Sequence, residues 1–333
     1  MRYNTTNLEK YVRELKMNIS RRELLASAAA GLATMPLAGI AGQSPGSNRK
    51  KFPLCIFSKY LQWLDYDGMA QTVAELGFYG VDLTVRRNGH VLPERAEDDL
   101  PRAVEATKAA GIEPLMIVTD INDPDDPKTE KALKTASTLG IKYYRLGYYV
   151  YNDDKSIAAT LNEIRPKLRD LAAMNKHFGI HGASQNHAGS RYVGAPVWDL
   201  WELIKDLDPE YMGCQFDIRH ATAEGSGTWP LHLRVMSGHI KTLAVKDFRW
   251  EKQDAGWRTV NCPLGEGAVD FDAYLQLLKK LSIAGPISIH YEYDLGGANR
   301  GATKLTMEEA KVRAAMRRDL EFLKTRLREN DLY

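Results

Sequence analysis

The chain has 333 residues, of which 44% are hydrophobic, 26% charged and 9% aromatic, an ordinary globular composition long enough for one large domain or two small ones. With 45 basic against 43 acidic residues the formal charge is only +2, so no electrostatic case for a nucleic-acid partner exists. Three cysteines (Cys55, Cys214, Cys262) without CxxC spacing argue against a disulfide-stapled or zinc-finger fold, and the lack of a strongly apolar run of about 20 residues argues against a polytopic membrane protein.

Ser20-Arg21-Arg22-Glu23 leads into an uncharged Ala/Gly-rich stretch, LLASAAAGLATMPLAGIA, that ends at Ala41. This resembles a twin-arginine export signal. The resemblance implies delivery to the periplasm or another extracytoplasmic space, with a mature chain starting near Gly42. Pro36 and the scarcity of Leu, Ile and Phe argue against a stable membrane span in the mature form. A surface amphipathic helix is the competing reading, and Met17 sits where such signals usually begin, leaving the start (Met1 or Met17) open. Without residues 1–41 the count becomes 39 basic against 40 acidic, a charge of −1. Residues 42–51, rich in Ser, Gly, Pro and Lys, read as a linker, and residues 52–333 as the folded domain.

From there, short apolar runs alternate with amphipathic stretches. Strands are predicted at Leu54–Ser58, Gly80–Val85, Pro114–Thr119, Tyr143–Tyr148, Gly179–Gln185, Cys214–Ile218, Thr242–Lys246 and Ile287–Tyr293. Helices are predicted between them, Tyr66–Leu76, Asp99–Ala110, Ile157–Phe178, Trp198–Leu207 and Phe271–Leu281 being examples, with a last one at Met307–Arg328. Ala110-Gly111-Ile112 and Leu139-Gly140-Ile141 read as helix stops running into strands. Eight strand–helix units predict a single (β/α)8 TIM barrel. A doubly wound sheet is the alternative, but no GxGxxG follows the first strand.

Function in such a barrel collects at the C-terminal strand ends. There the sequence places Asp82 to Arg86 and His90, Arg145, Gln185-Asn186-His187, Asp217 and His220, Lys246-Asp247, and His290 and Glu292. Side chains alternate along a strand, so Gln185, Asp217, Lys246 and Glu292 share the parity needed to meet at one point. Two carboxylates in a barrel mouth require a cation, either a metal ion or Lys246. Asp247, of opposite parity, reads as a cap for the following loop. The connection Glu251–Ala268 reads as a lid or a subunit contact.

Gln185-Asn186-His187-Ala188-Gly189, Phe216-Asp217-Ile218-Arg219-His220, Val245-Lys246-Asp247 and Pro263-Leu264-Gly265-Glu266-Gly267 resemble, in order, the signposts of the xylose-isomerase-like barrel superfamily. The resemblance implies a sugar isomerase, epimerase or dehydratase. It also implies one divalent ion on a strand-five Glu, a strand-six Asp, a strand-seven His and a strand-eight Glu. Asp217 and Glu292 match those positions, whereas Gln185 and Ala244 replace the other two. A Mn²⁺, Mg²⁺ or Ca²⁺ ion on Gln185, Asp217 and Glu292 is one expectation; Lys246 in place of any metal is the other.

The leading expectation is proton abstraction next to the carbonyl of a carbohydrate or keto-sugar. His187, His220 and Glu292 are the candidate bases, and Lys246 or the ion is the enolate stabiliser. Arg86, His90, Arg145 and His290 are expected to bind the substrate, and Trp250 and Tyr148 to stack on it. Elimination from a 3-keto-glycoside (a lyase or hydratase) uses the same site. A non-catalytic carbohydrate-binding barrel with a degenerate metal site is the alternative of a different class. Oligomeric state stays open.

Overall fold

The computed structural model describes residues 52–333, so the segment expected to direct export, residues 1–41, and the expected linker, residues 42–51, lie outside the described residues. Eight parallel strands form a closed barrel: β1 (Leu54–Phe57), β2 (Gly80–Val85), β3 (Glu113–Thr119), β4 (Tyr143–Arg145), β5 (His181–Gln185), β6 (Met212–Asp217), β7 (Ile240–Val245) and, after a hairpin, β10 (Ile287–Ile289). Each pairs with its sequence neighbour. β10 pairs back onto β1 in register Leu54↔Ile287 to close the ring. β1, β2, β6 and β10 are buried along their whole length, as parallel strands covered on both faces must be.

The helices are α1 (Tyr66–Leu76), α2 (Ala96–Ala109), α3 (Pro127–Thr138), α4 (Ile157–Phe178), α5 (Trp198–Ile204), α6 (Ile218–Gly225), α7 (Trp229–Met236), α8 (Phe271–Lys280) and α9 (Glu309–Glu329). Their ends follow the local sequence. Asp65 caps α1 by accepting from Gly68 N, and Ser156 and Asp270 do the same for α4 and α8. After α2, Gly111 takes φ 74° and Ile112 N reaches back to Thr107 O at 3.1 Å. This Schellman turn needs a residue that tolerates the left-handed region, and it explains the Gly-Ile punctuation. Among the described residues no helix is long and apolar enough to cross a membrane.

Four features differ in extent or form from expectation. β4 stops at Arg145 and β10 at Ile289, so Tyr148, His290 and Glu292 stand on the loops that leave the strands. The segment expected as a lid or subunit contact is an antiparallel hairpin, β8 (Asp247–Gln253) and β9 (Gly256–Cys262), turning at Asp254-Ala255. Strand β6 runs directly into α6, whose first turn is capped by Asp217 itself through His220 N at 3.2 Å.

Candidate active site

The C-terminal ends of β4 to β7 and β10 carry one continuous polar network. Arg145 on β4 donates from Nη1 to Gln185 Oε1 (2.8 Å), and Tyr148 OH donates to the same oxygen (2.6 Å). Gln185 on β5 then donates from Nε2 to Asp217 Oδ2 at the end of β6 (2.8 Å). Lys246, just past β7, places Nζ 3.3 Å from Asp217 Oδ2 and 3.2 Å from Glu292 Oε1. The parity argument therefore brings Gln185, Asp217, Lys246 and Glu292 together as expected. Asn186 fixes the backbone of Asp217, accepting from its N–H at 2.7 Å and donating to its carbonyl at 3.0 Å.

Burial and pairing set the charges. Burial pushes the Asp217 carboxyl above its ordinary range, with Lys246 opposing. Burial alone would strip the charge from Lys246, but Asp217 and Glu292 outweigh it and hold the ammonium charged. Glu292, despite burial, is held well below the usual carboxylate range by Lys246, His290 and Lys59.

This donor set does not fit a divalent ion. An arginine can only donate, so Gln185 turns its one ligating oxygen toward Arg145 and Tyr148 and its amide toward Asp217. Ala244 supplies no donor, and an ammonium stands between the two carboxylates where a cation would bind. Among the described residues no group of three His, Cys, Asp or Glu side chains gathers to hold an ion. The expected ligand set of Gln185, Asp217 and Glu292 is thus assembled around Lys246 instead.

The histidines divide by role. His220 is buried, with Nδ1 3.2 Å from Arg219 Nη1 and Nε2 3.7 Å from Asp217 Oδ2. Because Arg219 donates, the network assigns the proton to Nε2. Burial, Lys246 and His187 keep the ring neutral. His187 lies against it with ring centroids 3.9 Å apart. Its Nδ1 is engaged by Ala188 O at 2.9 Å, leaving Nε2 as the basic nitrogen. Burial first, then Lys246, lowers its pKa to about 4. His290 stacks on Phe57, centroids 4.9 Å apart, and burial keeps it neutral.

Two expected substrate-binding residues belong elsewhere. His90 accepts at Nδ1 from Ser58 (3.2 Å) and Thr84 (3.3 Å) and donates from Nε2 to Leu61 O (3.2 Å). Both ring nitrogens are therefore used in pinning the loops after β1 and β2. Trp250 is half-exposed on the hairpin, its ring edge-on to Phe248 at 5.8 Å rather than on the mouth residues. Tyr148 is a hydrogen-bond donor to Gln185, not a free stacking face.

Lys59, Arg219 and Phe57 escaped the sequence reading. Lys59 follows the first strand by two residues, so the strand-end rule could have found it. Arg219 stands on α6, where strand parity does not apply.

The family described as the xylose isomerase-like TIM barrel matches residues 70–326. An uncharacterized protein of Methanocaldococcus jannaschii is 26% identical over 124 residues, a match spanning 37% of this chain and 40% of that protein's length. Among solved structures, D-psicose 3-epimerase with D-tagatose from Clostridium cellulolyticum H10 superposes with a TM-score of 0.64 at 14% identity, covering 83% of this chain and 99% of that one. A xylose isomerase domain protein from Planctomyces limnophilus gives 0.62 at 16%, over 84% and 99%. The 3-keto-D-glucoside 4-epimerase from E. coli gives 0.60 at 13%, over 82% and 99%. Identities this low speak for the fold alone. The family match, which takes in most of the chain, goes further: this protein belongs to the xylose isomerase-like TIM barrel family.

Proposed function

We propose that the chain is a sugar isomerase or epimerase-like enzyme that abstracts the proton next to the carbonyl of a carbohydrate, with Lys246 in the place of a divalent ion. The observation that carries this reading is the Lys246 ammonium fixed between Asp217 and Glu292, with His187, its Nδ1 engaged by Ala188 O, lying against His220 beside Asp217. Negative charge develops on the carbonyl oxygen as the proton leaves, and a preorganised cation in a desolvated mouth stabilises it without reorganisation. His187 Nε2 is the base, since His220 already carries its Nε2 proton and Glu292 is held too acidic by Lys246. Asp217 and Glu292 keep Lys246 charged and aimed. The names of the similar structures, D-psicose 3-epimerase and 3-keto-D-glucoside 4-epimerase, support a keto-sugar. Isomerisation, epimerisation and elimination from a 3-keto-glycoside share this first step.

The test is deuterium uptake at the carbon beside the carbonyl, followed by NMR in D₂O with D-psicose, D-tagatose and a 3-keto-glucoside. Uptake is expected, falling by at least about 100-fold in His187→Asn and as pH drops through about 4, where His187 takes up a proton. Dialysis against EDTA is expected to leave the rate within about twofold. A rate lost to EDTA and restored by Mn²⁺ would sink the role given to Lys246. Sugar binding with no uptake would favour the second reading, a non-catalytic carbohydrate-binding barrel, which Gln185 and Ala244 support by removing two family ligand positions. We further propose that residues 1–41 direct export of the folded chain.

A further inference from the structure

The mouth is electrically lopsided. On the side of β6, β7 and β10, one ammonium is shared by two carboxylates. On the side of β1, β2 and β4 stand Lys59, Arg86 and Arg145, and among the described residues none of the three has a carboxylate oxygen within 4.0 Å. Arg86 follows β2 and Arg145 ends β4, yet both guanidinium carbons come over the Phe57 ring, at 5.2 and 5.7 Å. Two planar forks thus converge over one apolar floor from different strands. Arg145 is almost fully buried, and its Nη1 is taken by Tyr148 and Gln185. The Nε atoms of Arg86 and Arg145 are buried without a hydrogen-bond partner.

Holding three largely buried cations within electrostatic reach of one another is unfavourable. Burial, then Arg145, lowers the pKa of Arg86, and burial lowers that of Lys59 although Glu292 opposes it. Buried charge is ordinarily paired, and unpaired guanidinium forks match carboxylate and phosphate oxygens. We propose that the substrate of this site is anionic, a sugar bearing a carboxylate or a phosphate that docks on Arg86, Arg145 and Lys59. His290, stacked on the same Phe57 ring, joins this floor to the Lys246–Glu292 side. The anionic end of the sugar therefore lies on the β1–β4 side and its carbonyl end at Lys246, the latter resting on the reaction proposed above.

The experiment is titration calorimetry on the full chain with D-glucuronate, D-galacturonate and D-glucose 6-phosphate, each beside its neutral parent sugar. At least one anion is expected to bind tenfold or more tightly than its parent, with an advantage that shrinks as salt rises. The uronate and phosphate arms identify which anion the site takes. Arg86→Gln and Lys59→Gln, checked for an unchanged melting temperature, are each expected to reduce the advantage at least fivefold. No anion outbinding its parent, or an advantage untouched in both variants, would overturn the proposal. Deuterium uptake is scored separately. A neutral ketose that exchanges without anion preference removes the anion docking alone, whereas an anion-selective site that never exchanges a proton removes the reaction alone.

Discussion

Asp82 is wholly buried on the interior face of β2, within electrostatic reach of Arg86 and Arg145. Its Oδ2 accepts from Ser288 Oγ at 2.8 Å, while Oδ1 has no partner. Burial pushes its pKa from 3.8 up to about 7, against the pull of Ser288 and the two arginines. The folded chain therefore holds a proton that the unfolded chain has released. The stability this contributes is full below about pH 4 and is lost as pH rises to about 7, up to about 4 kcal/mol in all. Asp82→Asn keeps an acceptor for Ser288 and cannot ionise, so it should melt several degrees above the parent at pH 8 and close to it at pH 4. His90 and His181, both lowered to about 4 by burial, act in the opposite sense. Their stability is present above pH 6.5 and lost as pH falls through about 4, and it cancels in the difference between variant and parent. A variant less stable at every pH would mean that Asp82 is ionised and held by the arginines. In the sequence Asp82 is legible as a polar residue on a strand. Its inward aim and its missing partner depend on β10, some 200 positions away.

The same contrast holds for elements. Parity within β5, β6 and β7 was enough to converge Gln185, Asp217 and Lys246, because a strand's alternation is local and a barrel supplies the common centre. The hairpin was not legible, since its strands are mostly polar and mostly exposed from Arg249 to Arg258 and lack the apolar alternation that marks a half-buried pair. Its root is held by Asp247. Oδ1 accepts from Phe248 N (2.8 Å) and Val269 N (3.1 Å), and Oδ2 from Gly265 N and Gly267 N (both 3.0 Å). The cap expected from the sequence is thus a clamp on the Pro263–Gly267 motif. A Cβ on Gly267 would lie 2.2 Å from Asp247 Oδ1 and 2.3 Å from Phe248 O, so the backbone must be bare there. Asp247→Ala strands four N–H groups and is expected to cost about 3 kcal/mol in urea unfolding. It should also open residues 263–269 to protease. An unchanged urea midpoint would show that the loop is held by something else.

At the scale of the whole molecule, the barrel closes on itself between Leu54 and Ile289, and the family match lies within residues 70–326. Neither involves the first 41 residues, whose composition is of another kind: two adjacent arginines and Glu23, then 18 residues without a charge. Among the described residues the ring closes within Leu54–Ile289 and leaves no unpaired barrel edge. The balance of 39 basic and 40 acidic residues from 42 to 333 leaves that part of the chain near neutrality, so the positive side of the mouth is a local feature rather than a property of the surface. If residues 1–41 are an address, the protein recovered outside the cytoplasm should begin near Gly42 by N-terminal sequencing. The paired replacement Arg21→Lys, Arg22→Lys should keep it inside at full length, because the twin-arginine route reads the guanidinium pair and not charge alone. Export of the paired variant at the parent level, or an exported chain that retains Ser20 to Ala41, would instead make the segment part of the working protein.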